Sequence, residues 1–197
     1  MQATGIIMAG GRSTRMRMNK AFVKIKGETI LNHMIKKMSP LFAELIIISN
    51  DPHLFEHTGL PVYKDLYSRM GPVAGVHSAL YHASYNEVFI LGCDMPFIPA
   101  ELIKYMVNRL EGYDTVVPLI DSHLQPLAAA YHRQALPVFE YNLENQRFKL
   151  VRIFEELHAL RLTEEVIQPF GKVEEIFFNV NDLEALKAAN QIAGRYL

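Results

Sequence analysis

The chain has 197 residues, of which 50% are hydrophobic and 21% are charged. These proportions are typical of a globular protein with a sizeable core, and they exclude a disordered, collagen-like or low-complexity chain. The 20 basic and 21 acidic residues nearly cancel, so we expect no extended nucleic-acid partner.

Cysteine usage and hydropathy indicate the compartment. The single cysteine, Cys93, excludes an internal disulfide and is typical of a reducing environment. No apolar run approaches the roughly 20 residues that span a bilayer, and the first residues lack the basic leader of a secretory signal. We therefore expect a cytoplasmic protein with no membrane partner.

Short apolar runs predict the strands of a sheet. The predicted strands are residues 6–9, 45–48, 88–91, 115–117 and 127–131. The first three runs are apolar throughout, without polar–apolar alternation. This pattern is typical of strands in the middle of a parallel sheet that is covered on both faces.

Helical periodicity falls between the apolar runs. The predicted helices are residues 30–38, residues 73–83 with Pro72 in the first turn, residues 102–110 with Gly112 as the stop, and a closing helix over 183–192 with Asp182 as N-cap. Residues 134–159 are predicted to be mostly helical but less regular.

The alternation of strands and helices predicts the fold class. It indicates an α/β protein with a three-layer, Rossmann-like, doubly wound and mostly parallel sheet built from right-handed βαβ units. Because the sequence has no internal repeat and no linker rich in Gly, Ser or Pro, we predict a single domain over residues 1–197. Ligands of such sheets bind beyond the carboxyl ends of the strands, so the residues after each apolar run are the candidates for a site.

A basic, glycine-containing segment follows the first predicted strand. It reads Ala-Gly-Gly-Arg-Ser-Thr-Arg-Met-Arg-Met-Asn-Lys over residues 9–20. Paired glycines let backbone N–H groups approach an anion closely, and the hydroxyl, Arg and Lys side chains add donors and charge. The spacing fits neither a Walker A loop nor a dinucleotide-binding fingerprint. The segment is either a phosphate-binding loop of another type or an ordinary solvated loop.

Two aspartates follow other predicted strands. Asp94 stands after residues 88–91 and before Pro96, where a carboxylate could hold Mg²⁺ or simply cap the turn. Asp65 follows a short strand-like run and precedes the small residues of 71–75, which would let a helix N-terminus approach a ligand. The alternative for Asp65 is an acid in a turn. Cys93 is interpreted as a packing residue, because no histidine partner is indicated.

Three motifs occur in an order that resembles a known family. They are Ala-Gly-Gly-x-Ser-x-Arg-Met-x-x-x-Lys (residues 9–20), Gly-Pro-x-Ala-Gly (71–75) and Cys-Asp-Met-Pro-Phe (93–97), and Asn-Val-Asn (179–181) follows near the end of the chain. Together they resemble the molybdenum cofactor guanylyltransferases, within the wider nucleotidyltransferases that share the sheet of the nucleotide-diphospho-sugar transferases. The resemblance covers nearly the whole chain.

The resemblance implies roles for individual residues. The implied nucleotide-binding residues are Met8, Ala9, Gly10, Gly11, Ser13, Lys20, Asp65 and Asp94. The implied catalytic residues are Arg15, Lys20 and Asp94, and Asp94 is the implied ligand of a Mg²⁺ cofactor. Asn50 resembles a further nucleotide contact, and Asn181 a residue near the metal. Arg17 stands where the family has Gly, and Asp182 replaces the family's usual helix start.

The resemblance also implies a reaction and its partners. GMP would pass from GTP to molybdopterin carrying molybdenum, with release of pyrophosphate, and the product would reach recipient molybdoenzymes. Two alternatives stay open: a related enzyme that uses CTP, and a non-catalytic carrier of GTP or the pterin. The family members that make the cytosine form have Ala-Ala-Gly where this chain has Ala9-Gly10-Gly11, which favours guanine.

A second basic cluster is formed by Arg147, Lys149 and Arg152. It either meets the pterin phosphate or is the solvated face of a helix.

Overall fold

The secondary structure comes from a computed structural model that describes residues 1–10, 19–68 and 70–197. The strands in these ranges are β1 (Thr4–Met8), β2 (Lys24–Ile25), β3 (Glu28–Thr29), β4 (Glu44–Ile48), β5 (Val62–Tyr63), β6 (Glu87–Gly92), β7 (Thr115–Ile120), β8 (His123–Leu124), β9 (Ala128–His132) and β10 (Ala159–Leu162). The α-helices are α1 (Ile30–Met38), α2 (Gly71–His82), α3 (Ala100–Asn108), α4 (Leu136–Glu144), α5 (Leu150–Ile153), α6 (Glu164–Ile167), α7 (Val173–Ile176) and α8 (Leu183–Ile192). Short 3₁₀ helices lie at Lys20–Phe22, Pro52–Thr58, Arg133–Ala135, Gln168–Phe170 and Ala193–Arg195.

Within the described residues, eight strands form one mixed, mostly parallel sheet. Seven of them follow the order β10-β7-β9-β6-β1-β4-β5, and β8 pairs with β7. β1 is parallel to β4 and to β6, and β7 is parallel to β10. β9 runs antiparallel to both of its neighbours, β6 and β7. The predicted mostly parallel sheet is therefore confirmed, with β9 as an exception to the βαβ alternation.

The reversal of β9 has a physical reason. A crossover between parallel strands needs about a dozen residues or more. The chain from Ile120 to Ala128 is shorter than that, and it holds the strand β8, which pairs back onto β7. β9 can therefore enter the sheet only in the opposite direction.

Helices cover both faces of the sheet, which gives the predicted three layers. Ile7 and Ile47 belong to a buried cluster that includes residues of α1, α3, α6, α7 and α8. Ile6 and Ile46 point to the other face, where they join residues of α2, α4 and α5. The strands are buried on both sides, which explains why their sequences are apolar without alternation.

The predicted helix starts agree with the structure. α1 covers the predicted residues 30–38, and the side chain of its N-cap, Thr29, accepts a hydrogen bond from Asn32 N. α2 carries Pro72 in its first turn as predicted, and it begins at Gly71. Asp182 caps α8 as predicted, because its carboxylate accepts a hydrogen bond from Ala185 N at 2.8 Å.

The predicted stop of α3 is wrong. The helix ends at Asn108, and the amide of Arg109 closes its last turn through bonds to the carbonyls of Met106 and Val107. Gly112 lies beyond the helix, where a φ of +81° favours glycine. Tyr113 N then bonds to Leu110 O, so Gly112 serves a separate turn that leads into β7.

The region predicted as mostly helical is only partly so. Between residues 134 and 159 the chain forms α4 and the single-turn helix α5, and strand β10 begins at Ala159. Predicted strand ends also shift by a residue, since β1 ends at Met8 and β9 begins at Ala128. Of the described residues, none form a helix long and apolar enough to cross a membrane.

Candidate functional site

The carboxyl ends of β1, β4 and β6 meet at one edge of the sheet. Met8, the last residue of β1, stands opposite Ile48 on one side and Gly92 on the other. The chains leaving these strands stay bonded together, because Ala9 N donates to Ile48 O at 3.0 Å and Cys93 N donates to Met8 O at 3.1 Å. The segments that carry Gly10, Asn50 and Asp94 therefore start from the same place.

Asn19 contacts the end of β1 and the start of the Lys20 helix. Its side-chain Nδ2 donates to Ala9 O at 3.2 Å, and its Oδ1 accepts from Ala21 N at 3.0 Å. The second bond makes Asn19 the N-cap of the short 3₁₀ helix that begins at Lys20. Asn19 thus sets where the Lys20 side chain leaves the backbone. An Asn before a short helix is a recognisable N-cap signal, but the bond to Ala9 could not be read from the sequence.

Lys20 lies between Asp94 and Asn181. Its Nζ donates to Asn181 Oδ1 and stands 3.7 Å from Asp94 Oδ2. The side chains of Lys20 and Asp94 are 22% and 30% exposed, so a ligand in solution can still reach both. The backbone holds the group together as well, because Val180 N donates to Asp94 O at 2.8 Å.

The carboxylate of Asp94 could take part in a Mg²⁺ site. Its Oδ1 occupies the space over Gly92, where an added Cβ would lie only 2.7 Å from that oxygen. In the described part of the chain, no group of three or more His, Cys, Asp or Glu side chains could hold a metal ion. Mg²⁺ is commonly bound by one or two carboxylates together with substrate phosphates and waters. A single carboxylate at an open strand end fits that kind of site.

Asp65 lies at the other side of this strand edge. It exchanges two hydrogen bonds with Asn50: Asn50 Nδ2 donates to Asp65 Oδ2 at 2.8 Å, and Asp65 N donates to Asn50 Oδ1 at 3.3 Å. Burial raises the pKa of Asp65 above its usual value, and the bond from Asn50 opposes that shift. Gly75 of α2 leaves space here, since a Cβ at this position would overlap Met8 Cε and would lie 3.7 Å from Asp65 Oδ1.

Other predicted residues fall outside this group or outside the described residues. Gly11, Ser13, Arg15 and Arg17 lie outside the described ranges. Burial raises the pKa of the Cys93 thiol well above its usual range, and Asp94 adds to that shift, which supports a packing role.

The second basic cluster lines a cavity of its own. Arg147, Lys149 and Arg152 border a cavity of about 730 Å³ together with Phe148. α5 begins at Leu150, so these three cations do not share one helix face.

Known proteins resemble this chain in sequence and in fold. The sequence profile of the MobA-like NTP transferase domain matches residues 5–161. A protein of Pelotomaculum thermopropionicum named "probable molybdenum cofactor guanylyltransferase" is 36% identical over 193 residues, which cover 98% of this chain and 94% of that protein. A protein of the same name from Clostridium perfringens strain 13 is 33% identical over 192 residues, covering 93% and 94%. The crystal structure of molybdopterin-guanine dinucleotide biosynthesis protein A from Archaeoglobus fulgidus superposes with a TM-score of 0.84 at 25% identity, covering 98% of this chain and 99% of that one.

Proposed function

The chain belongs to the MobA-like NTP transferase family, and from this we propose that it transfers GMP from GTP to molybdopterin carrying molybdenum. The products are molybdopterin guanine dinucleotide and pyrophosphate. The observation that carries the proposal is the position of the Lys20 ammonium, 3.7 Å from Asp94 Oδ2. Both groups lie at the edge of the sheet where Met8 ends β1 and Ala9 and Gly10 follow. The names of the relatives support guanine as the base.

The nucleotide would lie over the end of β1. Backbone groups of Met8, Ala9 and Gly10 would contact the guanine nucleotide. Asp65, which is hydrogen-bonded to Asn50, would make a further contact. Gly10 leaves space for such a ligand, because among the described residues no atom would come within 4 Å of a Cβ at this position. Gly11, Ser13 and Arg15 would continue the triphosphate loop.

The reaction is a substitution at the α-phosphorus of GTP. An oxygen of the terminal phosphate of molybdopterin forms the new P–O bond, and the bond to the β-phosphate breaks with its electron pair going to pyrophosphate. Such transfers are accelerated mainly by alignment and by charge that offsets the leaving oxygens. Lys20 would supply that charge with Arg15, and Asn181 would hold the Lys20 ammonium in place.

Asp94 is the residue proposed to hold Mg²⁺. When bound, the ion would offset negative charge on the phosphates of the nucleotide. The protein then needs no nucleophile of its own, and the protonated, buried thiol of Cys93 agrees with direct transfer. Trapping a guanylyl adduct on the protein would contradict this mechanism.

The second basic cluster is a candidate site for the pterin substrate. Its cavity is lined by Arg147, Lys149 and Arg152, which would attract the terminal phosphate of molybdopterin. The acidic residues Glu155 and Glu156 also line it, so charge alone does not make it an anion site. Replacing all three cations with Ala should weaken pterin binding and leave GTP binding unchanged.

The proposed function is tested in two steps. The first compares thermal shifts with GTP, CTP, ATP and UTP, each with and without Mg²⁺, because a ligand at about 100 times its dissociation constant stabilises by roughly 2.7 kcal/mol. A shift with Mg–GTP that is lost in Asp94→Ala supports the proposal. A shift with Mg–CTP alone would instead indicate an enzyme that transfers CMP. The second measures pyrophosphate release from Mg–GTP and molybdopterin. A carrier without activity would bind these compounds and release none.

A further inference from the structure

Lys37 of α1 is a half-buried lysine with a defined pair of partners. Its Nζ donates to Pro96 O at 2.7 Å and to Ile98 O at 3.0 Å. Both carbonyls belong to the turn of residues 95–99, which joins Asp94 to the start of α3. The neighbouring Lys36 has an ordinary surface position instead, with a side chain that is 70% exposed and 2.7 Å from Glu28.

Packing alone does not explain an ammonium at this place. Burial lowers the pKa of Lys37 to about 8, and the carboxylate of Glu101 opposes that shift. The shift means that the site disfavours the charge, so an apolar side chain of similar length would avoid a desolvation cost. The two hydrogen bonds from Nζ to Pro96 O and Ile98 O offset that cost.

The turn that Lys37 holds directly follows the proposed metal ligand, Asp94. On the amino-terminal side, Cys93 N donates to Met8 O of β1, and at Asp94 itself the carbonyl oxygen accepts from Val180 N. On the other side, Lys37 bonds the carbonyls of Pro96 and Ile98. The backbone on both sides of the Asp94 side chain is thereby tied to a different element of the fold.

Lys37 also links the two halves of the candidate site. Lys20 stands at the start of the segment that leads through β2 and β3 into α1, and Asp94 stands at the end of β6. At the surface these two parts meet through the 3.7 Å approach of Lys20 Nζ to Asp94 Oδ2. Lys37 forms a second, half-buried connection between the same two segments.

We propose that Lys37 is a positioning residue that fixes the turn of residues 95–99 and thereby the place of Asp94 relative to Lys20. The effect on nucleotide binding rests on the proposed function, whereas the effect on the turn does not. Lys37 touches neither substrate nor metal, and it acts through the backbone that presents Asp94.

The test is Lys37→Met, which leaves an unbranched side chain one atom shorter and removes its donors, with Lys36→Met as the matched control. Hydrogen exchange of the Met95, Phe97 and Ile98 amides should speed up by at least about tenfold in Lys37→Met and stay unchanged in Lys36→Met. The dissociation constant of Mg–GTP should rise by about tenfold in Lys37→Met only, while that of GTP with EDTA stays the same. A purely structural loss would instead weaken both alike.

The outcomes separate this proposal from the proposed function. Wild-type exchange rates in the turn of Lys37→Met would overturn the role of Lys37, whatever the nucleotide affinities. If the wild-type protein does not bind Mg–GTP, the proposed function fails. Amide hydrogen exchange in the turn of residues 95–99 still shows whether Lys37 fixes that turn. Should the Met variant not fold, Lys37→Gln replaces it. Its amide nitrogen ends one atom short of Nζ and carries no charge, so intermediate exchange is expected and wild-type exchange would contradict the proposal.

Discussion

Asn50 and Asp65 hold each other through hydrogen bonds in both directions, although one follows β4 and the other follows β5. Asn50 Nδ2 donates to the Asp65 carboxylate at 2.8 Å, and Asp65 N donates back to Asn50 Oδ1 at 3.3 Å. The pair fixes the carboxylate at the edge of the site. It also moderates the effect of burial, which by itself raises the pKa of Asp65.

Removing the amide of Asn50 should raise the pKa of Asp65 further. In Asn50→Ala the carboxylate keeps its burial and loses the donor that favours its charged form. Because the folded state already binds this proton more tightly than the unfolded state, the free energy of unfolding falls as the pH rises from the usual Asp value through the folded pKa. That window should extend to higher pH in the variant. A ¹³C NMR titration of Asp65 measures the shift, with the exposed Asn145→Ala as control, and an unchanged titration would contradict the assigned cause.

Lys20 should matter for turnover more than for stability. We expect Lys20→Ala to lower kcat by on the order of 10²-fold or more, because its charge offsets that of the phosphates in the transition state. The melting temperature should change little, since the side chain is partly exposed. Lys24→Ala removes an exposed lysine of β2 and is the control. Pyrophosphate release gives the rate, and equal rates in the wild type and Lys20→Ala would remove Lys20 from the catalytic residues.

Gly92→Ala should disturb the site without unfolding the protein. The new Cβ would lie 2.7 Å from Asp94 Oδ1, and 3.5 Å and 3.6 Å from atoms of Leu127. The carboxylate is the end of a side chain, so it can turn away from this contact, but it then leaves its place beside Lys20. We expect the dissociation constant of Mg–GTP to rise by about tenfold, which corresponds to a loss of about 1.4 kcal/mol of binding free energy.

Gly194→Ala is the matched control for that variant. Among the described residues, no atom would lie within 4 Å of its Cβ, and its φ is not in the left-handed region. Isothermal titration with Mg–GTP compares the two variants. If both bind as the wild type does, the position of the Asp94 carboxylate does not limit binding.

His77 should reduce stability at acidic pH. Its side chain is 1% exposed, and within the described residues both ring nitrogens lack a hydrogen-bond partner. Burial lowers the pKa of His77, the charge of Glu140 opposes the shift, and His82 adds to it. The unfolded chain therefore binds the proton more readily, and stability is lost as the pH falls below the usual value near 6.5.

His77→Phe keeps an aromatic ring beside Tyr67, whose ring meets His77 edge to face at 5.0 Å. It removes two buried polar atoms, so we expect a gain of about 1–2 kcal/mol at neutral pH and a larger gain at pH 5. Urea unfolding at the two pH values measures the gain in the free energy of unfolding. His53→Phe, at an exposed position, is the control. An equal effect at both pH values would show that His77 does not titrate with folding.

Local patterns were enough to predict the elements at the centre of the fold. The apolar runs that became β1, β4 and β6 are buried on both faces, and that burial is visible in any short window of sequence. α1 could be placed because hydrophobic spacing is a local feature, and α8 because of its spacing together with the N-cap Asp182. The candidate residues Lys20, Asp65 and Asp94 were found for a related reason, since each lies in a segment that follows a strand-like run along the chain.

Short elements and strand direction could not be predicted in the same way. β5 and β8 are two residues long, and β10 begins inside a region expected to be helical. The run Ala-Ala-Ala-Tyr of β9 has the same sequence pattern whichever way the strand runs. Its direction follows from the length of the connection to β7 and from its place between β7 and β6.

Local patterns along the chain fix the α/β class, the central strands and the residues at their carboxyl ends, because each depends on neighbours in sequence. Long-range packing brings Lys20 to Asn181, 161 positions away, and Lys37 to the carbonyls of Pro96 and Ile98. These contacts depend on which strands are adjacent in the sheet and on how the helices pack over it. That arrangement is set by the burial of the whole chain, which no local pattern contains.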